Sequence, residues 1–380
     1  MKYRNMLIKD VFILLFCLSL FCSCSNTEKN NSYSVLKVSL KEDRVAMMDL
    51  FKKMEVIPLE TKDSCLLIWP DKVLYENGYY GVFDSKYPAL FLFDRDGKFV
   101  RKVGRKGNAP NEYTEIYDVT YDEEAGHICM LSPFGEIFRY ALNGTFLNRV
   151  KLPQRANYQS FESLKNYFVT WTLSGKDEDA GISIISKRTM HCVKKYWKEN
   201  RNLDFLYPRG FYKFRGKMYF FRPFGREVYQ FDKNNMNIAY KWDFGKDNYS
   251  VEDFGFSKAE SKGEQEGGVM KKLKDSSIPY LISNQTQSNK YYYTKLVFGF
   301  TPNGQYHVFY RKSDGKSFFF KKTKEGIKLN PLLFCDDFML CLASNADMNA
   351  YIRVLDEKEN RKLIKRKEDD NPVLIKCYFK

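Results

Sequence analysis

Residues 79–100 read YYGVFDSKYPALFLFDRDGKFV, and residues 127–147 repeat the same design as HICMLSPFGEIFRYALNGTFL. Each stretch holds two aromatic-rich strand patterns and a tight turn that leads into a third strand. The dipeptides Asp96-Gly97 and Asn143-Gly144 are strong hairpin signals, because both turn positions favour a positive φ. The repeat predicts antiparallel strand units with a period of about 45 residues.

The same pattern recurs along the rest of the chain. Further strand–turn–strand units occupy 218–231 and 306–320, and residues 338–342 are predicted to pair with 351–355. A period of this length with four short strands is typical of a β-propeller blade. Residues 65–380 hold about six to seven such units, and one insertion reduces the count to six. We therefore predict an all-β fold, a six-bladed β-propeller of four-stranded antiparallel blades, with seven blades as the alternative.

Two features complete the fold prediction. The N-terminal segment, at 35–40 or 54–59, is expected to pair with C-terminal blade strands that include 373–379, because closing the ring removes exposed strand edges. Residues 246–290 are polar, charged and weakly helical. They predict an insertion between blades four and five, which is either a surface excursion or a cap over one face of the disc.

The N-terminus carries an export pattern. Lys2, Arg4 and Lys9 precede an apolar run at 11–21 (VFILLFCLSLF). That run is too short to span a bilayer and is typical of a signal-peptide core. The pattern therefore favours a cleaved signal peptide over an uncleaved anchor helix.

Residues 20–24 (LFCSC) resemble a bacterial lipobox that ends in an acylated cysteine. We predict a lipoprotein signal peptide at 1–23, lipidation of Cys24, a flexible tether at 24–34 and a single propeller domain at 35–380. Several acyl chains on one cysteine would hold the protein at a membrane, where one chain would not. The predicted location is the cell envelope, anchored to the outer membrane and facing the periplasm or the surface. A secreted form that is cleaved before Ser25 is the alternative.

The composition fits this compartment. Aromatic residues make up 17% of the 380 residues, and the formal net charge is +15. Aromatic side chains suit strands. A basic chain in the cytosol would suggest nucleic acid, but an exported one does not, and no nucleic-acid partner is expected. The charge indicates a solvated lysine-rich surface, or attraction to anionic membranes or acidic glycans.

Two motifs carry a family resemblance. Residues 54–61 (MEVIPLET) and 99–113 (FVRKVGRKGNAPNEY) resemble the patterns I-x-L-E-T and G-x-x-G-x-G-P-x-E-Y of six-bladed, NHL-like β-propeller lipoproteins of Bacteroides-type bacteria, and residues 370–376 (DNPVLIK) resemble the closing strand of that family. Ala109 replaces the usual glycine before Pro110. The resemblance implies a propeller fold and an envelope location, and it implies no established reaction, ligand or catalytic residue.

The loop at 104–113 has two interpretations. Its glycines allow backbone N–H groups to turn toward one point. The favoured interpretation is structural, with Glu112 accepting loop N–H bonds and locking adjacent blades together. The functional interpretation is a polar rim of a ligand pocket, and its candidate ligand-binding residues are Gly104, Gly107, Asn111, Glu112 and Tyr113.

Linear motifs for catalysis or metal binding are absent from the sequence. The histidines, His127, His191 and His307, lie far apart, and the first and last of them occupy strand-like runs where a packed or edge role is expected. The acidic run at 122–124 reads as a solvated turn. Cys335 and Cys341 could form a disulfide, which the sequence leaves open. No catalytic residue, metal ligand or cofactor is predicted.

Two functions fit these observations. The first is an envelope-anchored, non-catalytic binding or scaffold propeller whose ligand is a glycan, a peptide or another envelope protein. The second is a propeller enzyme, a glycan lyase or hydrolase, with residues from separate blades converging on the central face. A linear scan would miss such a constellation, so the lack of a motif argues only modestly against it.

Overall fold

The computed structural model describes residues 33–380 apart from 154–156, 174–180, 197–209, 223–224, 233–234, 249–266, 269–270, 272–273, 275–278, 300–303 and 365. The predicted signal peptide, Cys24 and most of the tether therefore lie outside the described residues. Among the described residues, no helix is long and apolar enough to cross a membrane.

The described residues contain twenty-five strands, which form six antiparallel sheets, the six blades of a β-propeller. Blade one contains β3–β6, blade two β7–β10, blade three β11–β14, blade four β15–β18 with β1, blade five β19–β22, and blade six β23–β25 with β2. In chain order the strands are β1 (Ser34–Lys37), β2 (Phe51–Pro58), β3 (Pro70–Glu76), β4 (Tyr79–Asp84), β5 (Ala89–Phe93), β6 (Phe99–Val103), β7 (Asp118–Asp122), β8 (His127–Ser132), β9 (Glu136–Ala141), β10 (Phe146–Lys151), β11 (Asn157–Ser163), β12 (Tyr167–Leu173), β13 (Gly181–Ser186), β14 (Cys192–Tyr196), β15 (Phe211–Phe214), β16 (Lys217–Phe221), β17 (Glu227–Asp232), β18 (Asn235–Asp243), β19 (Pro279–Gln287), β20 (Tyr291–Phe298), β21 (Gln305–Arg311), β22 (Ser317–Phe320), β23 (Pro331–Phe334), β24 (Phe338–Ala343) and β25 (Val373–Phe379).

In the part of the chain that the structure describes, three short α-helices with defined bounds accompany the blades. They are α1 (Met47–Leu50), α2 (Met348–Ile352) and α3 (Glu357–Arg361). The prediction that residues 351–355 pair with 338–342 is wrong, because α2 and the turn after it occupy that stretch. The strand β24 instead pairs with β23 on one side and β25 on the other, so both of its edges are filled.

The ring closes where the sequence predicted that it would. The N-terminal strand β2 pairs antiparallel with the C-terminal strand β25, with Val56 opposite Ile375. This pairing confirms the expectation for 54–59. The earlier segment behaves differently, since β1 adds a fifth strand to blade four next to β18.

The predicted insertion is shorter than 246–290. The strand β19 belongs to blade five and begins at Pro279, so the last part of that range is blade rather than insertion. A short 3-10 turn at Gly245–Asp247 follows blade four. Most of the range between these two elements lies outside the described residues.

The core is divided among the blade interfaces. Six clusters of buried apolar side chains lie one between each pair of neighbouring blades. Flat rings fill these slots, and Phe83, Phe93, Tyr113, Tyr291 and Trp242 are all fully buried. This packing explains the aromatic content, because large side chains bury much apolar area between two sheets.

Candidate functional site: the central cavity

The first strand of each blade faces a central cavity of about 710 Å³. Neighbouring first strands contact one another around the ring, for example β3 with β7 and with β23. Every blade contributes to the lining, which includes residues 68–76, 120–121, 162, 211–213, 284–286 and 330–335. The volume lies within the range of small-molecule sites.

A network of lysines and carboxylates connects blades one to four at this cavity. Lys72 on β3 lies 2.9 Å from Asp118 on β7 and 3.6 Å from Glu162 on β11. Lys213 on β15 lies 3.7 Å from Glu162 and 3.0 Å from Glu123. Four first strands thus bring opposite charges together that are far apart in sequence.

Hydrogen bonds fix the carboxylates of this network. The Thr120 hydroxyl donates to Glu162 Oε2 over 2.5 Å. Asp118 accepts the backbone N–H groups of Val119 and Phe161 at 2.9 and 3.0 Å, so it ties blade two to blade three. Charge-assisted bonds of this kind hold side chains in one geometry. The cavity wall is therefore preorganised.

Lys213 and Glu76, which both line the cavity, have shifted pKa values. Burial alone would lower the pKa of Lys213, but the Glu162 and Glu123 carboxylates outweigh it and hold the pKa above its ordinary value. Burial raises the pKa of Glu76, and the negative charge of Glu123 raises it further. Lys213 is therefore a permanent cation, whereas Glu76 gains a proton more readily than an ordinary carboxyl.

The rim of the cavity carries an exposed aromatic platform. Trp69 precedes β3, lines the cavity and is 66% exposed. The buried carboxylate of Asp84 accepts the N–H groups of Ile68 and Trp69 with one oxygen and those of Lys86 and Tyr87 with the other. These four bonds hold the β4–β5 turn against the segment that presents Trp69.

The loop at 104–113 lies elsewhere. Gly104, Gly107, Asn111, Glu112 and Tyr113 are all absent from the cavity lining. Tyr113 is fully buried in the cluster between blades one and two, and its hydroxyl donates to Pro88 O over 3.1 Å. The structure therefore gives the loop an inter-blade contact, while the ligand-binding role of its five residues stays a prediction.

The described contacts of Glu112 are with residues of its own loop. Its Oε2 accepts the Ala109 N–H at 3.0 Å, and its Oε1 lies 3.2 Å from Arg105 Nε. The loop closes on itself through Gly107 N–H to Tyr113 O and Tyr113 N–H to Arg105 O. Tyr113, more than Glu112, makes the contact with the neighbouring blade.

Other sequence predictions are resolved by the same geometry. His307 is buried with its Nδ1 2.9 Å from the Tyr293 hydroxyl, and burial together with Lys295 and Lys328 lowers its pKa to about 3, which fits a packed residue. Cys335 and Cys341 are free thiols. Among the described residues, no group of three or more potential ligands could hold a metal ion.

The acidic run at 122–124 is not simply a solvated turn. Asp122 is buried and lies 2.6 Å from Lys187, and Glu123 lines the cavity. Sequence reasoning also missed Lys72, Glu162 and Lys213. The one available signal was a charged residue inside each of three strand patterns, PDKVLYE, NYQSFES and FYKF.

The fold and cavity define a six-bladed β-propeller with a polar central site. The chain belongs to the family described as Domain of unknown function (DUF4934), whose model matches residues 34–378. No curated protein matches the chain.

Two structures from Bacteroides species are among the solved structures that resemble this chain. One, from Bacteroides fragilis NCTC 9343 and described as exported, aligns at a TM-score of 0.72 and 17% identity over 91% of this chain and 100% of that one. The other, a member of the duf4221 family from Bacteroides vulgatus ATCC 8482, aligns at 0.52 and 12% over 90% and 99%. At these identities the likeness shows the fold alone.

Proposed function

We propose that this protein is an envelope-anchored binding propeller that holds a ligand in its central cavity and releases it chemically unchanged. The observation that carries the proposal is the cavity itself, which has the volume of a ligand site and a wall of preorganised, mutually paired charges. Carboxylates that are each paired with a lysine are positioned to hold polar groups of a ligand. The ligand is a glycan, a peptide or another envelope protein.

A screen with a blocked cavity tests this function. The full-length protein in detergent is titrated calorimetrically with oligosaccharides and short peptides, and bound ligand is recovered and checked for cleavage. Thr286→Trp places a large ring in the cavity, and Thr145→Trp makes the same change in an exposed turn. We expect binding to be lost only in Thr286→Trp. Equal binding by both variants would refute a cavity site.

The anchoring part of the proposal rests on residues 11–24 and is supported by the exported description of the Bacteroides fragilis relative. Lipidation of Cys24 and membership of an NHL-like group of lipoproteins belong to this proposal. Cys24→Ser should abolish incorporation of a fatty-acid label and move the protein out of the membrane fraction. A variant that still fractionates with membranes, beside a wild type that takes up no label, would refute anchoring.

A second function has one specific observation in its favour. Glu76, Glu123 and Glu162 all line the cavity, and the pKa of Glu76 is raised by burial and by Glu123. A carboxyl with a raised pKa beside an ionised one is the arrangement that glycosidases use as acid and base. Release of new reducing ends or unsaturated sugars from polysaccharides, lost in Glu76→Gln, would establish a glycan enzyme in place of the binding protein.

A further inference from the structure

We infer that the ligand of the central cavity is a neutral carbohydrate, with one sugar ring stacked on Trp69 and the hydroxyl groups of another bound by Lys72, Glu162 and Lys213. This inference rests on the proposed function and narrows it to one ligand class. Three features of the cavity carry it: the exposed indole at the rim, the mixed donors and acceptors in the wall, and the charges of the wall.

The indole of Trp69 is exposed at the cavity rim, where a ligand can contact it. Trp69 is 66% exposed, although large apolar side chains are usually buried, and the Asp84 bond described above holds its backbone at the rim. An aromatic face exposed at a cavity mouth offers a surface for stacking, and the fixed backbone limits the entropy cost of binding to the side chain. The apolar face of a pyranose ring fits such a platform.

The wall offers donors and acceptors at one place. Glu162 lies between the two lysines at 3.6 and 3.7 Å, which is beyond direct hydrogen-bond distance. Within the described part of the chain, Lys72 donates only to Asp118, so its remaining N–H groups can serve a ligand. A hydroxyl group both donates and accepts, and it can bridge the gap between Glu162 and either lysine.

The charges of the wall disfavour an anionic ligand. Lys72 and Lys213 are paired with Asp118, Glu123 and Glu162, and Glu76 also lines the cavity, so carboxyl groups outnumber lysines. An anion would therefore be repelled. A cation would have to compete with lysines that are already paired with three of these carboxylates, whereas a neutral polyol displaces no ion pair.

The spacing suits an oligosaccharide. Trp69 and Lys72 are three residues apart, which corresponds to about 10 Å along an extended strand. Two linked pyranose rings cover such a distance. Asn284 on blade five also lines the cavity, at a β-bulge in β19 with a φ of 49°.

The test compares ligand classes and two matched aromatic residues. Full-length protein is titrated calorimetrically with xylan, mannan and β-glucan oligosaccharides as neutral probes, oligogalacturonate as the anionic probe and chitosan oligosaccharide as the cationic probe. Tyr87 is the control for Trp69, because it is also 66% exposed and is held by the same Asp84, yet it does not line the cavity.

We expect a neutral probe to bind best, and Trp69→Ala to raise its Kd about tenfold through loss of stacking. Tyr87→Ala should leave the Kd within about twofold, as for a surface change. Glu162→Gln should also weaken binding, and circular dichroism will verify that this variant is folded.

Several results would overturn the inference. Preference for the anionic or cationic probe, or equal effects of Trp69→Ala and Tyr87→Ala, would exclude the neutral-carbohydrate assignment while leaving cavity binding intact. Binding of peptides alone would do the same. A neutral probe whose binding survives Thr286→Trp would place the sugar outside the cavity, and the proposed function would then fail as well.

Discussion

Two segments pack on the same β4–β5 turn of blade one, and one of them buries its aromatic residue whereas the other exposes it. The 104–113 loop sends Tyr113 inward, where it is fully buried and donates to Pro88 O. The segment before β3 sends Trp69 outward, where it is 66% exposed at the cavity rim. The comparison teaches that the segment with the more recognisable sequence motif is the one that supports the fold.

The difference arises from how each backbone is satisfied. The loop closes on its own N–H and C=O groups and needs Tyr113 to fill the slot between blades one and two. The rim segment is held from behind by Asp84, so its side chains are free to face solvent. We expect changes in the loop to affect stability and changes at the rim to affect binding.

The largest effect is expected for Tyr113→Ala. Removing a fully buried aromatic ring leaves a cavity between two blades and should cost about 3–5 kcal/mol of unfolding free energy. Urea denaturation followed by fluorescence will measure this loss. Tyr87→Ala, an exposed counterpart in the neighbouring turn, should change stability by less than about 0.5 kcal/mol. Equal losses of unfolding free energy in the two variants would contradict the structural role of Tyr113.

Asp84→Ala should affect both properties. Its carboxylate is buried and accepts four backbone N–H groups, and their loss should cost about 2–4 kcal/mol, because donors left without an acceptor are expensive. The rim should also loosen and any ligand bind more weakly. Asp84→Asn keeps the shape and one carbonyl oxygen, and a smaller loss is expected there. A variant with normal stability and normal affinity would show that the rim is held by other contacts.

Gly104→Ala should cost about 2–3 kcal/mol, combining a left-handed φ with overpacking. Its φ is 71°, and an added Cβ would lie 2.7 Å from the Tyr140 hydroxyl oxygen and 2.9 Å from the Tyr113 ring. Gly78→Ala is the control, because its φ is 81° and nothing lies within 4 Å of the added Cβ. The difference between their thermal midpoints isolates the contacts with Tyr140 and Tyr113. Equal thermal midpoints would mean that the loop shifts to accommodate the added methyl group at little cost in stability.

Glu112→Ala should have a moderate effect of about 1 kcal/mol, through loss of one hydrogen bond to the Ala109 N–H. The ion pair with Arg105 adds little, because the Arg105 side chain is 83% exposed. Ligand affinity, measured on the folded fraction, should stay unchanged. If Glu112→Ala instead left stability intact and abolished binding, the loop would be the site and the structural interpretation would be wrong.

The smallest effect on stability is expected for Trp69→Ala, at less than about 0.5 kcal/mol, because an exposed side chain contributes little to folding. Thermal unfolding in the absence of ligand will measure it. A loss comparable to that of Tyr113→Ala would show that Trp69 is part of the core packing rather than a free platform.

Much of the fold could be predicted because its signals are local. Gly97 and Gly144 both adopt the positive φ that the hairpin turns required. Residues 351–355 show the limit of such signals. Their β-branched and apolar letters are typical of a strand, yet β24 already pairs on both edges and the stretch follows the helical course of α2.

The candidate site was not predictable in the same way. The 104–113 loop has a contiguous motif, and its residues were therefore the candidate ligand-binding residues. The five candidate residues do not line the cavity. Lys72, Glu162 and Lys213 carry no shared motif, since each lies on a different blade and in a strand of different composition. Only the ring of first strands brings the ammonium groups of both lysines within 4 Å of the Glu162 carboxylate.

The sequence by itself determined the blade period, the hairpin turns and the closing strand, because each follows from residues that are neighbours along the chain. The tertiary structure decided which blade each N-terminal strand joins, where the charged cavity lies, and that Tyr113 packs while Trp69 is displayed. These outcomes depend on which surfaces meet when six blades close into a ring, and such meetings have no local signature in the chain.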